Sequence, residues 1–352
     1  MTRYISQFFH RRPMNGKPHI DQIVPRAAIA GGEMQIRGRD FCCDGQQRPE
    51  VTFAGVEANL LVSSDRYLVA RVPEGATSGD VTVGTPKNRS NPVPVEIGAE
   101  IADNLHPVAN PALDHDGNIY STFSGSRGQK VSVGIYKIDT NYSVKPFLSD
   151  LMNPSGLAFG RDNFLYISSR FDGNIYRADP GGSMTIYAEG MGIATGIAFD
   201  EAGFLYVGDR SGTIFKISSD RQIFVFATLE PSIAAYHLTF GPGGFLYVTG
   251  PTTSSYDCIY RISQAGEVET FFRGLGRPQG MAFDQEGNLY VAASHSGRKG
   301  IFRITPQGQA ELAISGAGLL GLAFTRGAAA ILASTQSVYH LNWNVPGKFL
   351  PA

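Results

Sequence analysis

Along residues 104–352 the apolar positions fall into short runs separated by turn-forming Gly, Asn, Asp and Pro. One run, an aliphatic residue followed by an aromatic and then a basic residue, recurs about every 40 residues, a spacing typical of repeat architectures. Its aromatic positions are Tyr136, Tyr176, Phe215, Tyr260, Phe302 and Tyr339. Three further apolar runs accompany each copy, so each unit predicts a four-stranded antiparallel sheet.

A single small sheet leaves both faces uncovered, whereas a ring of such sheets covers the faces and protects the edges. The six units therefore predict a six-bladed β-propeller over residues 110–352. We expect the repeated aromatic to pack between blades and the adjacent basic residue to point to the other face, where it is solvated or bonded to a turn. Three closures of the ring stay open, with the last strand supplied by residues 348–352, by residues near 98–105 or by the N-terminus.

The N-terminal part has a different pattern. Residues 18–97 contain about seven short alternating runs between turn residues, which is typical of a β-sandwich. Residues 98–109 are predicted to link it to the propeller. Residues 1–17 form a leader that is either an added edge strand or disordered.

The amino-acid composition agrees with an all-β chain and argues against nucleic acid as a binding partner. The 42 glycines suit many turns, and 30 basic against 31 acidic residues give none of the excess positive charge that nucleic-acid binding requires. We find no apolar stretch of signal-peptide or membrane-spanning length. The expected location is the cytoplasm, or the periplasm or extracellular space if a leader has been removed; the oligomeric state is not predicted.

Several phrases in residues 18–97 resemble the IPT/TIG family of immunoglobulin-like domains. They are Pro25, the Gly pair at 31–32, G-x-x-F at 38–41, V-x-F-x-G at 51–55, V-P-x-G at 72–75 and G-x-V-x-V at 79–83. The resemblance implies an immunoglobulin-like β-sandwich that serves as an interaction or spacer module.

The later repeats lack the Gly-His and Trp-Asp marks of WD repeats. Their phrases P-x-G-[LIM]-A-F-D and x-x-G-[NF]-L-Y-V, clearest over residues 278–291, resemble the NHL repeats and the senescence-marker/gluconolactonase superfamily. This resemblance is specific for the fold and not for the chemistry.

The lactonases of that superfamily hold a divalent metal with a Glu, an Asn and an Asp at the mouth of the channel. The resemblance maps these positions onto Asn110, Tyr236 and Gln279, none of which keeps the expected ligand. Without carboxylates the site has no general base and a weak field for a hard cation. Related lyases hold zinc with histidines from several blades, and only His237 occupies that frame here. His237 and Asn110 are thus the candidate ligands for calcium or zinc, but these two residues do not by themselves make a metal site.

Other candidates follow the second strand of a unit, at the end of the scaffold where binding residues concentrate. They are Arg170, Asp209, Arg210, Ser294 and His295. An Asp209–Arg210 pair beside Arg170 could grip a carboxylate or a phosphate. By contrast, the Asp residues of the first hairpin turns are expected to be turn formers; they are Asp114, Asp116, Asp200 and Asp284.

Two functions follow as hypotheses. The first is a non-catalytic binding or scaffolding protein that holds a protein, small-molecule or carbohydrate ligand at the central mouth of the propeller, with the sandwich as a spacer or second contact. The alternative is a divergent metal-dependent hydrolase, lactonase-like, or a lyase with its site in the channel. Convergence of acidic or histidine side chains in the channel would favour the enzyme.

Overall fold

The structure is a computed structural model that describes residues 16–41, 48–85, 87–123, 131–254 and 256–349. Apart from a short 3₁₀ turn at Pro242–Gly244, the regular structure of these residues is β, which confirms the all-β prediction. None of them forms a helix with the length and apolar character that a membrane crossing needs. The predicted leader falls mostly on residues 1–15, outside the described residues.

Nine strands make up the N-terminal unit, named here for residues 19–97. They are β1 (His19–Val24), β2 (Ala27–Ala28), β3 (Glu33–Arg39), β4 (Glu50–Phe53), β5 (Val56–Ser63), β6 (Tyr67–Arg71), β7 (Gly79–Thr85), β8 (Asn88–Arg89) and β9 (Val93–Ile97). The strands pair in the order β1-β3-β6-β5-β4-β7-β9. Alternate apolar residues of these strands, among them Met34, Ile36, Phe53 and Leu68, form one shared core.

Five separate four-stranded sheets follow. They are β11–β14 (Ala112–Leu113, Ile119–Thr122, Val133–Ile138, Val144–Ser149), β15–β18 (Pro154–Phe159, Leu165–Ser169, Ile175–Ala178, Met184–Ala188), β19–β22 (Ala194–Phe199, Leu205–Asp209, Thr213–Ile217, Ile223–Thr228), β23–β26 (His237–Phe240, Leu246–Thr249, Asp257–Ile262, Val268–Leu275), and β31–β33 (Leu319–Phe324, Ala330–Ser334, Val338–Leu341) with β10 (Ala99–Ala102).

Separate sheets number one fewer than the six expected. The strands β27 (Met281–Phe283), β28 (Leu289–His295), β29 (Arg298–Ile304) and β30 (Ala310–Ser315) pair in order, but they belong to a 13-stranded sheet. The physical reason is β2, which pairs in parallel with both β30 and β9 and so joins these strands to the N-terminal unit.

The first strands of successive groups contact one another around a common axis, from β11 through β15, β19, β23 and β27 to β31. Glycines allow this approach: the amide of Gly196 donates to the carbonyl of Tyr236 at 2.8 Å, and a Cβ on Gly196 would lie 2.4 Å from that oxygen. The fold is a β-propeller. Of the three closures left open, the structure has the one near residues 98–105, because β10 pairs antiparallel with β33.

Aromatic packing between the sheets differs from the expectation. The repeated aromatic of the third strand is mostly half-buried, with Phe302 fully buried. The deeper contact comes from a second-strand tyrosine: Tyr166 meets Phe199 of the next sheet edge-to-face at 4.8 Å, and Tyr206 meets Phe240 at 5.0 Å. Such pairs add to the energy of apolar burial.

The same tyrosines anchor the first hairpin turns. Asp200 illustrates the arrangement, because its Oδ1 accepts hydrogen bonds from the amides of Ala202 and Phe204, both at 2.9 Å, and its Oδ2 accepts one from the hydroxyl of Tyr206 at 3.2 Å. Asp114 and Asp284 act in the same way. These carboxylates form turns, as the sequence predicts.

Candidate ligand-binding site

Two cavities open on the axis of the ring, one at each end. The upper end is defined here as the end at which the first strands begin. The upper cavity, of about 510 Å³, receives residues from every group of strands around the axis. Its lining residues are His106, Pro107, Val108, Ser155, Arg170, Thr195, Arg210, Ile233, Ala234, Ala235, His237, Pro251, Arg277, Gln279, Leu320 and Thr335.

Positive charge dominates the upper cavity. Arg170, Arg210 and Arg277 come from loops of three different groups of strands, and no Asp or Glu is among the described residues that line the cavity. Loss of contact with water and, after it, the nearby charge of Arg210 lower the pKa of Arg170. Cationic side chains are thus concentrated at this cavity, although the net charge of the whole chain is only −1.

Arg210 is held by the loops of its own and the next sheet. Its amide donates to the carbonyl of Ile193 at 3.3 Å, and its Nη2 donates to the carbonyl of Ile233 at 2.9 Å. The Nε of the same guanidinium is buried and has no hydrogen-bond partner within the described part of the chain. A buried donor on a charged group without an acceptor is costly, and none of the described residues supplies an acceptor for this nitrogen.

Arg277 is positioned by its backbone. Its φ of 49° lies in the left-handed region, which non-glycine residues rarely adopt. Its amide donates to Oδ2 of the buried Asp257 at 3.2 Å, while Oδ1 of Asp257 accepts from the amide and hydroxyl of Thr252 at 2.9 and 2.8 Å. The buried carboxylate therefore fixes the loop, and the Arg277 side chain stays exposed at the cavity.

His237 opens β23 and lines the cavity, although only 7% of its surface is exposed. Burial lowers the pKa of His237 to about 4, so the imidazole is neutral at pH 7. Its ring makes no hydrogen bond to another residue in the described ranges. A neutral imidazole offers one donor and one acceptor nitrogen, and both remain open to a ligand here.

Gln279 also lines the cavity, beside the start of β27. Its backbone is fixed on both sides, because its amide donates to the carbonyl of Ala292 at 2.9 Å and its carbonyl accepts from the hydroxyl of Thr249 at 2.8 Å. Its amide side chain has no bond to the other described residues. The upper cavity therefore brings together four candidates, namely Arg170, Arg210, His237 and Gln279.

Tyr236 and Asn110 have structural contacts instead. Tyr236 is fully buried, and its hydroxyl donates to the carbonyl of Glu230. The side chain of Asn110 spans two first strands, because its Nδ2 donates to the carbonyl of Met281 at 2.8 Å and its Oδ1 accepts from the amide of Leu322 at 3.2 Å. With both atoms of its amide group bonded, the Asn110 side chain links β27 and β31.

Asp209, Ser294 and His295 do not line the upper cavity. Asp209 is buried and accepts from the amide of Ile193 at 2.8 Å and from the hydroxyl of Ser211, so it orders a loop and forms no ion pair with Arg210. The hydroxyl of Ser294 donates to a backbone carbonyl at 3.1 Å, and Nδ1 of His295 lies 2.9 Å from another. The expected Asp209–Arg210 pair is therefore absent among the described contacts.

Two cationic or titratable residues of the cavity are missing from the sequence candidates. Arg277 and His106 both precede a first strand, at the same end of the ring as the loops that follow second strands. Both have positive φ, 49° and 44°. Their common position ahead of a first strand is the signal that could have identified them.

The residues of the upper cavity do not fit a divalent cation. No group of three or more His, Cys, Asp or Glu side chains suited to hold a metal occurs in the described ranges. His237 stands among arginines in the cavity, whereas Asn110 does not line it and its side-chain oxygen already accepts from the amide of Leu322. Calcium and zinc both require anionic or unprotonated ligands that outweigh nearby positive charge.

The lower cavity, of about 570 Å³, has a different lining. Phenylalanines at the ends of the first strands, Phe159, Phe199 and Phe240, supply much of its wall. Two of its charged residues bond to backbone carbonyls: Nζ of Lys348 donates to the carbonyl of Gly241 at 2.8 Å, and Arg161 donates to the carbonyl of Glu201.

No family model matches the chain, and no curated protein matches its sequence. Solved structures do match its fold. An auxiliary nutrient-binding protein from Bacteroides thetaiotaomicron is 14% identical, with 93% of this chain and 98% of that chain covered and a TM-score of 0.56. A second auxiliary nutrient-binding protein, from Bacteroides ovatus, is also 14% identical over 93% and 98% of the two chains, with a TM-score of 0.53.

A gluconolactonase from Xanthomonas campestris is 15% identical, with 71% of this chain and 89% of that chain covered and a TM-score of 0.58. At such low identity the likeness concerns the fold alone. Both kinds of neighbour are consistent with the same conclusion: the chain has the all-β architecture of the propeller proteins.

Proposed function

We propose that this protein binds a small anionic ligand, bearing a carboxylate or a phosphate, in the upper cavity of its propeller. The observation that carries the proposal is the convergence of Arg170, Arg210 and Arg277 on one cavity without an acidic side chain among its described lining residues. Guanidinium groups match carboxylates and phosphates with paired hydrogen bonds. The ligand supplies the negative charge that the cavity lacks.

A buried nitrogen that lacks a hydrogen-bond acceptor supports the same class of ligand. Nε of Arg210 is buried and has no acceptor among the described residues. An anionic oxygen placed there would accept a charge-assisted hydrogen bond, which is stronger than one between neutral groups. The Nη2 bond to Ile233 keeps the guanidinium in position before the ligand arrives.

His237 and Gln279 add neutral hydrogen-bonding groups next to the arginines. With its pKa lowered to about 4 by burial, His237 contributes no charge at pH 7. Such groups suit hydroxyls or amides of the ligand beyond its anionic part. We infer that the arginines provide the affinity for the anion and that these two residues orient the remainder.

Two of the structural neighbours support a binding role. Auxiliary nutrient-binding proteins match over 93% of this chain, which extends the likeness into the N-terminal unit. We infer a non-catalytic binding protein, with the N-terminal unit as a spacer or a second contact for a partner. Its ligand would be a small acidic metabolite or an acidic sugar.

The finer architecture belongs to this proposal. We infer six blades, with β27–β30 as the fifth, because β27 contacts both β23 and β31. We infer an immunoglobulin-like sandwich for residues 18–97, supported by the single core that its strands share. The other proposed divisions are 1–17, 98–109 and 110–352, and NHL-like repeats and an IPT/TIG-like domain remain proposals with them.

Isothermal titration calorimetry with matched ligands tests the function. Glucose 6-phosphate and glucose differ by one phosphate, and succinate and succinamide by their charges. We expect the anionic member of at least one pair to bind with 1:1 stoichiometry, more weakly as salt rises, because screening acts on the charge of the cavity. Equal binding of both members of each pair, or binding of neither anion nor inorganic phosphate, would contradict the proposal.

A further inference from the structure

Exposed apolar side chains lie on the loops at the upper end of the ring, and one of them, Ile233, lines the upper cavity. Phe171 is 61% exposed, Ile193 42%, Ile233 48% and Tyr256 70%. These four residues, named here the apolar rim, belong to loops of three consecutive sheets, those beginning with β15, β19 and β23. Large apolar groups kept in water next to a concave site mark a place where a ligand is bound.

The backbone ties each member of the apolar rim to an arginine of the cavity. Phe171 directly follows Arg170. The carbonyls of Ile193 and Ile233 accept from the amide and the Nη2 of Arg210, at 3.3 and 2.9 Å.

Tyr256 is linked in the same way to the third arginine. It immediately precedes Asp257, whose Oδ2 accepts from the amide of Arg277 at 3.2 Å. Hydrogen bonds therefore join Ile193 and Ile233 to Arg210, and Tyr256 is next in sequence to the carboxylate that accepts from Arg277.

Other exposed apolar residues of the chain differ in position. Phe224 and Val225 lie within β22, the outermost strand of its sheet, and not on a loop at the upper end of the ring. They provide a matched set of exposed apolar side chains with no cation cluster beside them.

We propose that the ligand is an amphiphilic anion, in which an acidic head binds the arginines and an apolar or aromatic part covers the apolar rim. This inference rests on the proposed function, because it assigns the chemical class of the ligand of the same site. The charge of the cavity selects the head. Burial of the apolar part against Phe171 and Tyr256 adds affinity that an anion alone cannot obtain.

Calorimetric titration with phenyl phosphate, inorganic phosphate and phenol separates the two contributions. We expect phenyl phosphate to bind roughly tenfold more tightly than inorganic phosphate, as burial of one face of a ring predicts. Phenol should bind too weakly to measure. If phosphate and phenyl phosphate bind equally well, the apolar rim has no role and this inference is wrong, while the anion site stands.

Two variants locate the gain. The double variant Phe171→Ser with Tyr256→Ser should keep its affinity for phosphate and lose the tenfold advantage of phenyl phosphate. The control, Phe224→Ser with Val225→Ser on β22, should keep both affinities. An advantage that survives in the rim variant would overturn the inference.

The two proposals fail in distinguishable ways. If neither phosphate compound binds the wild-type protein, the anion site and the amphiphilic ligand are both wrong. If the protein sediments with vesicles of neutral and anionic phospholipid but takes up no phenyl phosphate, the apolar rim contacts a membrane surface and the soluble ligand is rejected.

Discussion

The two ends of the channel use ionisable side chains in opposite ways. At the lower end the carboxylates of the hairpin turns accept hydrogen bonds from backbone amides and tyrosines of their own sheets, as Asp200 does from Tyr206. At the upper end Arg170, Arg210 and Arg277 meet with no carboxylate among the described lining residues.

The difference separates stability from function. A carboxylate whose two oxygens already accept hydrogen bonds from its own sheet stabilises that sheet and has few free lone pairs to bind a ligand. Cationic side chains that repel one another lower the stability of the fold, and a bound anion relieves that repulsion. Substitutions at the lower end should thus change stability alone, and substitutions at the upper end should change binding.

The largest effect should come from the buried histidine of the upper end. The folded-state pKa of His237, about 4, lies below its ordinary value of 6.5. Between pH 6.5 and pH 4 the imidazole of His237 binds a proton in the unfolded chain but not in the folded chain. The stability that is present above pH 6.5 is therefore lost as the pH falls towards 4. The loss should total about 3 kcal/mol.

Urea unfolding at pH 7, 6, 5 and 4 measures this loss. The variant His237→Gln should lose about 3 kcal/mol less than the wild type over that range. Gln279→Ala alters the same cavity without removing a titratable group and should keep the wild-type slope. Identical slopes for wild type and His237→Gln would contradict the buried, neutral state.

At the lower end, Asp200→Ala removes the carboxylate that accepts three hydrogen bonds in one turn. We expect a loss of about 2 kcal/mol in the free energy of unfolding, since the turn amides and Tyr206 lose their acceptor. Affinity for anions should stay unchanged. A loss of anion affinity without a loss of stability would break the division between the two ends.

At the upper end, Arg210→Gln should have the converse effect. The loss of one charge-assisted contact predicts roughly tenfold weaker binding of phosphate-bearing ligands, or about 1.4 kcal/mol. The melting temperature should change little, because removal of one charge also relieves Arg170. Arg161→Gln, at the lower cavity, is the matched control and should bind anions like the wild type.

The smallest effect should follow from Tyr206→Phe, which deletes only the hydroxyl that donates to Asp200. We expect a loss of about 1 kcal/mol in stability and no change in binding. Combined with Asp200→Ala, it should add almost nothing, because the acceptor is already gone. Full additivity of the two losses would show that the hydroxyl and the carboxylate act independently.

Local patterns were sufficient for much of the fold. The repeated aromatics, from Tyr136 to Tyr339, all lie on third strands, and Asp114, Asp200 and Asp284 form turns, because alternation and turn chemistry depend on neighbouring residues. The two-residue strand β2 is too short to leave a pattern. Its pairing with β30, which merges two sheets, is therefore invisible in the sequence.

The site could be predicted only in part, because loop side chains take their direction from contacts distant in sequence. Arg170 and Arg210 face the cavity as their position after second strands suggests, but Asp209 turns towards the amide of Ile193. Arg277 depends on a buried carboxylate twenty residues earlier in the chain. No local pattern reveals that bond.

Nuclear magnetic resonance of the histidine rings tests the anion site most directly. The chain has seven histidines, of which His106 and the buried His237 line the upper cavity and His115 the lower one. On titration of ring-labelled protein with phenyl phosphate, we predict a saturable shift of the His237 signals and unchanged His115 signals. Shifts at His115 with His237 unmoved, or no shift at either ring, would contradict an anion site at the upper end.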